Sequence, residues 1–371
     1  MNPLGMSSAA RASHPVDTEG DFQLATWQSY IKGLRNFWRT EAYQAVVSTV
    51  DGTLQPTELE RRYADLAAYR LYAWLERYSQ QMKYYGRRGL VDLACDQKQH
   101  CSELLDEAKN KGPGRVEIDA DFEVPSYVRE SHTHQHVGGV WSNPAAAFAY
   151  EASTSGFSFA LGESSAPMRV YADAASALAN MAQHPVGKVI DIGCAIGEST
   201  RALKAAFPDA EVLGVDVCAA AVLLAHLRAN ERGEKIDFSQ RAAEDLHVPS
   251  ESVDLIASHW LYHEMPVKAI RAALGEAHRA LRKGGLFMAF DMHLVPGGNI
   301  GQWLHWGYAK RNNEPFAVGF SQMDLRQELK NLGFCDIEIK LALPEMPPQD
   351  DEMPARRTHY LTLITCRKSA T

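Results

Sequence analysis

The sequence predicts an α/β protein: a seven-stranded, mainly parallel sheet flanked by helices, preceded by a mostly helical N-terminal region. Three observations predict it. From Pro185 onward, short apolar runs alternate with amphipathic stretches, the mark of repeated strand and helix units. One of those runs, Val189 to Ile192, passes directly into a turn of small residues and then a helical pattern. Upstream, from Phe22 to about Asn110, apolar residues recur instead at three- and four-residue steps, as in Leu66, Tyr69, Tyr72, Ala73 and Leu75, which is the period of a helix face.

Each segment follows from its composition. A chain of 371 residues with 46% hydrophobic content exceeds one typical domain and can bury a large core. Residues 1–20 are rich in Ser, Ala and Gly without apolar period, so a flexible leader is expected there. Residues 21–184 form the helical region, a substrate cap or a dimer surface. The run Gly112-Pro113-Gly114 breaks its pattern, and a short helix is expected near Pro144 to Ala152. Residues 185–371 form the α/β domain, with an insertion at 295–320 that opens on Pro296, Gly297 and Gly298.

Within that domain strands are expected at Lys188–Ile192, Glu211–Val215, Ile236–Gln240, Leu255–Ser258, Leu286–Phe290, Cys335–Lys340 and His359–Cys366. Between the fourth and fifth runs a helix places Ile270, Leu274, Ala277 and Leu281 on one face. Arg282 and Lys283 then fall in its last turn, and Gly284 stops it.

Charge and cysteine usage narrow the function. The formal charge is -8 and no block of basic residues occurs, which argues against a nucleic-acid-gripping surface. No apolar run approaches the ~18 residues that cross a bilayer, and Met1 to Gly20 lacks the charged start and apolar centre of a secretory signal. A cytoplasmic protein is expected. Cysteines 95, 101, 194, 218, 335 and 366 form no C-x-x-C pair, so they read as reduced packing residues rather than zinc ligands or a disulfide framework. Small-molecule chemistry is the reading that remains.

The most informative stretch runs Val189-Ile190-Asp191-Ile192-Gly193-Cys194-Ala195-Ile196-Gly197-Glu198-Ser199-Thr200. A strand enters a small-residue turn and a helix, so backbone N–H groups and the positive helix end converge where an anionic or carboxylate-bearing ligand can sit. Gly193 and Gly197 are expected to let that backbone approach the ligand closely. Asp216 follows 25 residues after Asp191, the distance of one helix and a return strand, which sets its carboxylate beside the turn to accept ribose hydroxyls. The third strand leads into Ala242-Ala243-Glu244-Asp245-Leu246, a loop over the same crevice suited to an adenine ring. A nicotinamide dehydrogenase shares such a fold, but its G-x-G-x-x-G fingerprint is not the spacing found here.

In these features the segment resembles the class I S-adenosylmethionine (AdoMet)-dependent methyltransferases, and among them the quinone-biosynthesis group. The resemblance rests on the Asp191-to-Gly197 turn, Asp216, the Ala-Glu-Asp-Leu loop, Val253-Asp254-Leu255-Ile256, and Leu281-Arg282-Lys283-Gly284-Gly285. It covers about half of the chain. It implies a Rossmann-like fold with AdoMet as cofactor, the methionine end held by Asp191, Gly193, Ala195 and Gly197, the ribose by Asp216, and the adenine by Ala243 and Glu244, with Val217 and His259 completing the set. Two positions depart from the family pattern: Ala195 stands where a glycine is common and Ala242 where an Asp is frequent.

Acceptor-facing residues should follow the fourth and fifth strands. His263, Asp291 and His293 are the catalytic candidates there, since imidazole titrates near neutrality and a partly buried carboxylate can be tuned toward it. The expected reaction is methyl transfer to a small organic molecule, at oxygen first and at carbon or nitrogen next. The alternative is a non-catalytic binding or regulatory protein that keeps the fold. Protein or nucleic-acid methylation is disfavoured by the acidic charge and the missing Asn/Asp-Pro-Pro-aromatic motif. His132, His134 and His136 alternate and read as a solvated or substrate-lining loop rather than a metal site. Trp303, His305, Trp306 and Tyr308 read as a lid or acceptor wall, with Tyr30, Phe37, Trp38 and Arg39 supplying the rest of it or a homodimer surface.

Overall fold

Strands from the two periods named above assemble into one eight-stranded sheet of order β1-β4-β3-β2-β5-β6-β8-β7. The computed structural model describes residues 15–16, 22–136, 139, 143–156, 166–182, 184–341 and 362–370. The strands are β1 Val116–Glu117, β2 Lys188–Ile192, β3 Glu211–Asp216, β4 Asp237–Gln240, β5 Val253–His259, β6 Leu281–Asp291, β7 Phe334–Leu341 and β8 Thr362–Lys368. Pairings from β1 through β6 are parallel, and β8 runs antiparallel between β6 and β7. The α/β, mainly parallel sheet is as the sequence predicts, with one strand more than the seven expected.

That extra strand is β1, two residues of the N-terminal region that pair Val116 with Phe238 and Glu117 with Ser239. Two residues carry no detectable alternation; apart from this short strand the described N-terminal region is mostly helical, as the sequence predicts. The first part of the seventh expected strand, residues 359–361, lies outside the described residues. Of the 1–20 leader only Pro15 and Val16 are described, and Val16 is buried against Ile31, Tyr84 and Leu90.

The helices are α1 Phe22–Phe37, prolonged by the turns Trp38–Ala42 and Tyr43–Val47, α2 Pro56–Tyr63, α3 Ala67–Tyr84, α4 Leu90–Asp96, α5 Lys98–Ala108, α6 Ser126–Arg129, α7 Pro144–Gly156, α8 Ala166–Met181, α9 Glu198–Ala206, α10 Ala219–Glu231, α11 Val267–Ala280, α12 Gly298–Asn312, α13 Ala317–Gln322 and α14 Leu325–Leu332. The sheet's alternation sorts them into layers. Val189, Leu255, Ala257 and Met288 face α8, α9 and α10, packing on Ala174, Leu178, Leu203 and Val222. Ile190, Ile256 and Phe287 face the other way, onto Ile270 and Leu274 of α11 and Leu329 of α14. Thus α8, upstream of residue 185, shares the core of the sheet.

Two further clusters fasten the N-terminal helices. Ile31, Tyr84, Leu90 and Phe148 pack with Leu223 and Leu224 of α10. Trp38, Leu59, Tyr69 and Tyr72 pack with Trp303 and Leu304 of α12. The Trp303 ring stacks on Tyr69 at 4.2 Å and its Nε1–H donates to Glu60 at 2.6 Å. Arg311 of α12 pairs with Glu76 and bonds the Tyr69 hydroxyl at 3.1 Å. Trp303 is therefore a buried anchor for the helical region, while His305 and Tyr308, also buried, bond Ala317 O at 3.4 Å and Glu314 at 2.9 Å within the 295–320 insertion. Tyr30 and Phe37 are exposed while Trp38 is core, so these do not form one common wall.

The helix before β6 ends at Ala280, three residues before Lys283, where the glycine stop placed its end. Leu281 already has extended backbone, φ -62° and ψ 135°, and pairs with Val253. Gly284, at φ +74°, instead serves a register irregularity between that pair and Leu255–Leu286. Among the described residues no helix is long and apolar enough to cross a membrane.

Candidate active site

Parallel pairing brings the carboxyl ends of β2, β3, β4, β5 and β6 to one edge, because Ile192 pairs with Val215 and Ser258, Asp216 with Gln240, and His259 with Phe290. The turn after β2 is built against that edge. Gly193 N–H and Cys194 N–H both donate to Val215 O, at 2.8 and 3.0 Å, and Ala195 N–H donates to Asp216 Oδ2 at 2.9 Å. Asp216 Oδ1 accepts Cys218 N–H at 2.9 Å at the start of α10. Each Asp216 oxygen keeps further lone pairs for a ligand. Burial pushes this carboxyl's pKa up, Asp191 adds to the rise, and the backbone N–H bonds oppose it.

The reason for glycine in the turn differs from the expectation. Gly197 has φ +80°, and a Cβ there would meet Ala225 Cβ at 2.9 Å and the Phe238 ring at 3.1 Å. At Gly193, φ +71°, it would meet Leu261 Cδ1 at 2.9 Å. Both glycines are thus required by backbone conformation and by packing of the chain on itself. Ala195 adopts φ 44°, so the departure from the family pattern is absorbed as left-handed backbone at an L-residue.

Asp191 is fully buried, and Ser199 and Thr200 of α9 each donate a hydroxyl to its Oδ2 at 2.6 Å. Among the described residues its Oδ1 has no hydrogen-bond partner, and neither ring nitrogen of the buried His259, whose Nδ1 lies 3.6 Å away, has one. Buried polar atoms left without partners are costly, so this corner suits a ligand with both donors and acceptors. An amino acid's ammonium and carboxylate match it. Tyr171 of α8 meets the His259 ring edge-on at 5.1 Å. Glu198, the first residue of α9, has its pKa pushed up to about 7 by burial, with Glu151 adding and Arg201 and Arg232 opposing.

On the other side of the turn, Ala243 is buried and Tyr127 of α6 donates its hydroxyl to Glu244 Oε1 at 2.8 Å, while Oε2 is buried without a partner among the described residues. The Tyr127 ring also meets Phe316 edge-on at 6.2 Å. Burial raises the Tyr127 phenol, and the charges of Glu244 and Asp216 add to the rise. Tyr150 of α7 feels Glu198, Glu264 and Asp216. Val217 contributes its carbonyl to Gln240 Nε2 at 3.1 Å. Tyr127, Tyr150 and Tyr171, all outside residues 185–371, carried no local sequence signal, because only the fold brings them to the sheet edge.

The three catalytic candidates separate on inspection of their bonds. Asp291 is fully buried and accepts Tyr262 N–H at 2.6 Å, Met292 N–H at 2.7 Å and His263 Nδ1–H at 2.6 Å. Such a carboxylate anchors the loop, with most of its acceptor capacity taken by these three bonds. His263 Nε2 lies 3.4 Å from Glu264. Burial works against its charge, but Asp291 and Glu264 more than offset that and hold the imidazole pKa well above its ordinary value. These bonds tie Asp291 and His263 to the loop that follows β5. His293 differs: its Nδ1–H donates to Phe320 O at 3.0 Å, burial lowers its pKa, and Nε2 of the neutral ring keeps the lone pair.

The alternating histidines do not line a strand face. Thr133–Gln135 is a short 3-10 turn with His134 and Gln135 at φ 57° and 63°. His134 lies between Glu314 and Glu264, and His136 is buried against the Tyr84 ring at 5.3 Å. His132 is exposed, as a solvated loop would have it, whereas His136 is buried and His134 half-buried.

Sheet order, turn and buried acidic residue form a Rossmann-like domain, and the sequence of that domain is similar to methyltransferases. Residues 189–285 match the family model described as a methyltransferase domain. The chain is 31% identical over 129 residues to an uncharacterised methyltransferase of Synechocystis, covering 35% of this chain and 56% of that protein. It is 34% identical over 158 residues to a malonyl-[acyl-carrier protein] O-methyltransferase of Methylococcus capsulatus, covering 42% and 54%. The chain therefore spans about half the length of these curated relatives. Among solved structures, a methyltransferase-like protein of Bacillus halodurans aligns at TM-score 0.43 and 16% identity, covering 53% of this chain and 99% of that one.

Proposed function

We propose that the protein transfers the methyl group of AdoMet to a small organic acceptor. The observation that carries this reading is the corner at Asp191 Oδ1 and His259, buried and without hydrogen-bond partners among the described residues, in a domain that matches the methyltransferase family model. Bound there, AdoMet supplies an electrophilic methyl on a sulfonium.

The chain's own groups then have distinct tasks. Asp191 and His259 bind the amino-acid end. Asp216 accepts the ribose hydroxyls, and Ala243 with Glu244, steadied by Tyr127, receives the adenine. Tyr171 and Tyr150 exclude water from the methionine side. Alignment of donor and acceptor supplies much of the rate, since well-oriented reactions reach effective molarities of order 10⁵ M or more. His293 Nε2 is the group suited to take a proton from an acceptor that must lose one.

The net charge of -8 and the enclosure of the site by tyrosines favour a small molecule over a polymer. Incubation of the full chain with methyl-tritiated AdoMet and fractionated cell extract tests this. Label is expected in the small-molecule fraction. Label confined to protein or nucleic acid, or no transfer from a chain that binds AdoMet, overturns it.

A further inference from the structure

The loop after β5 is fixed from two directions, and one of them is the N-terminal region. From beneath, Asp291 bonds the Tyr262 amide and His263 Nδ1, both at 2.6 Å. From outside, Glu264 Oε1 lies 3.4 Å from His263 Nε2 and 3.3 Å from His134 Nε2. His134 Nδ1 lies 3.0 Å from Glu314 Oε1, which also accepts the Tyr308 hydroxyl at 2.9 Å. We propose that His134 is a positioning residue for methyl transfer, acting through Glu264 to hold His263 and its loop at the acceptor side of the site. What the loop does rests on the methyl-transfer reading; the chain of contacts does not.

Two independent features support the role. Each imidazole stands between two carboxylates, Asp291 and Glu264 for His263, Glu264 and Glu314 for His134. A ring with acceptors at both nitrogens donates from both and carries a positive charge. Neither ring then has a lone pair for base chemistry, so both act by holding. The second feature is backbone conformation: His134 and Gln135 both lie in the left-handed region, which L-residues adopt only when surrounding contacts enforce it. Gln135 supplies those contacts, donating to Arg311 O and accepting from Gln81 Nε2 at 3.1 Å.

The groups that face the relay come from several elements. His134 sees Glu314, Glu264 and, in opposition, His263. His136 and His305 lie close enough to feel His134 and His263 respectively. Glu264 also meets the Thr133 side chain and lies near Tyr150. Burial opposes the charge on both His134 and His263, and the flanking carboxylates outweigh it.

Ring-nitrogen NMR of histidines in the full chain, assigned with His134→Gln and His263→Gln, tests the proposal. In Glu264→Gln both titration midpoints should fall by about one pH unit or more, because one shared carboxylate is lost. A shift of His263 alone, or a wild-type His134 that titrates near the unperturbed value of about 6.5, overturns it. Should Glu264→Gln fail to fold, Glu314→Gln is read instead: a fall in the His134 midpoint supports the relay, and an unmoved one overturns it. With an acceptor found by label transfer, His134→Gln should lower kcat by about tenfold or more while AdoMet binds within about threefold of wild type. An unchanged kcat contradicts positioning. Failure of wild type to bind AdoMet would remove the methyl-transfer reading but leave the paired titration intact.

Discussion

His259 Nδ1 stands 3.6 Å from Asp191 Oδ1, in a buried corner where neither atom has a hydrogen-bond partner among the described residues. An amino acid's charged groups would satisfy both at once. Replacing His259 with Asn keeps a polar group but shortens its reach. Its loss of a hydrogen bond to a charged partner should weaken AdoMet binding by about tenfold or more, on the scale of roughly 1.5–3 kcal/mol for such bonds. Calorimetric titration of His259→Asn beside wild type checks this, and equal affinities would remove His259 from the donor site.

Tyr127 links the N-terminal region to Glu244 through a bond of 2.8 Å. Tyr127→Phe keeps the ring contact with Phe316 and removes only the hydroxyl. AdoMet affinity should fall by about three- to tenfold, the range of about 1 kcal/mol for one hydrogen bond, with a melting temperature close to wild type. A large stability loss with unchanged affinity would make Tyr127 structural only.

Ala195 at φ 44° carries a backbone penalty of about 1 kcal/mol that glycine lacks, partly returned through the unfolded chain's added freedom. Ala195→Gly should therefore leave stability unchanged or raise it by less than about 1 kcal/mol, read from thermal or urea melts. Marked destabilisation would mean that the Ala195 methyl has packing value in the turn.

His136 should make stability sensitive to acid, because its imidazole is buried against the Tyr84 ring. Burial lowers its pKa from 6.5 to about 4, with His134 and Lys83 adding to the shift. A depressed imidazole pKa means the unfolded chain binds the extra proton, so its contribution to stability is full above about pH 6.5 and is lost as pH falls toward 4. At 1.36 kcal/mol per unit the loss is on the order of 3 kcal/mol. His136→Phe keeps a ring against Tyr84, and its stability should vary less with pH between 4 and 6.5 than that of wild type. Parallel pH profiles would contradict the assignment.

Trp303 is buried between α12 and the N-terminal helices. Trp303→Ala should destabilise the chain by about 3–5 kcal/mol, as large-to-small core changes do. Limited proteolysis should then cut first within α1 to α3. Wild-type resistance would show that the other cluster alone holds the helical region.

What was legible in the sequence is what is local. The turn from Asp191 to Gly197 announces itself because a strand, small residues and a helix start lie side by side, and Asp216 follows from the length of one helix and a strand. β1 was not legible, since two residues paired across 122 positions, Val116 with Phe238, leave no period. The end of α11 was misplaced because Gly284 carries the positive φ of a helix stop but spends it in a strand irregularity. The roles of His134, Tyr127 and Tyr171 depend on carboxylates and rings supplied from distant segments, and His263 and Asp291 looked like free acid-base groups until their bonding partners were known.

Titration of AdoMet into the full chain tests the central claim most directly. One molecule per chain should bind, and Asp191→Asn should reduce or abolish the binding heat while the protein remains folded by circular dichroism. Absence of binding by folded wild type, or an Asp191→Asn chain that binds as tightly, would contradict the account.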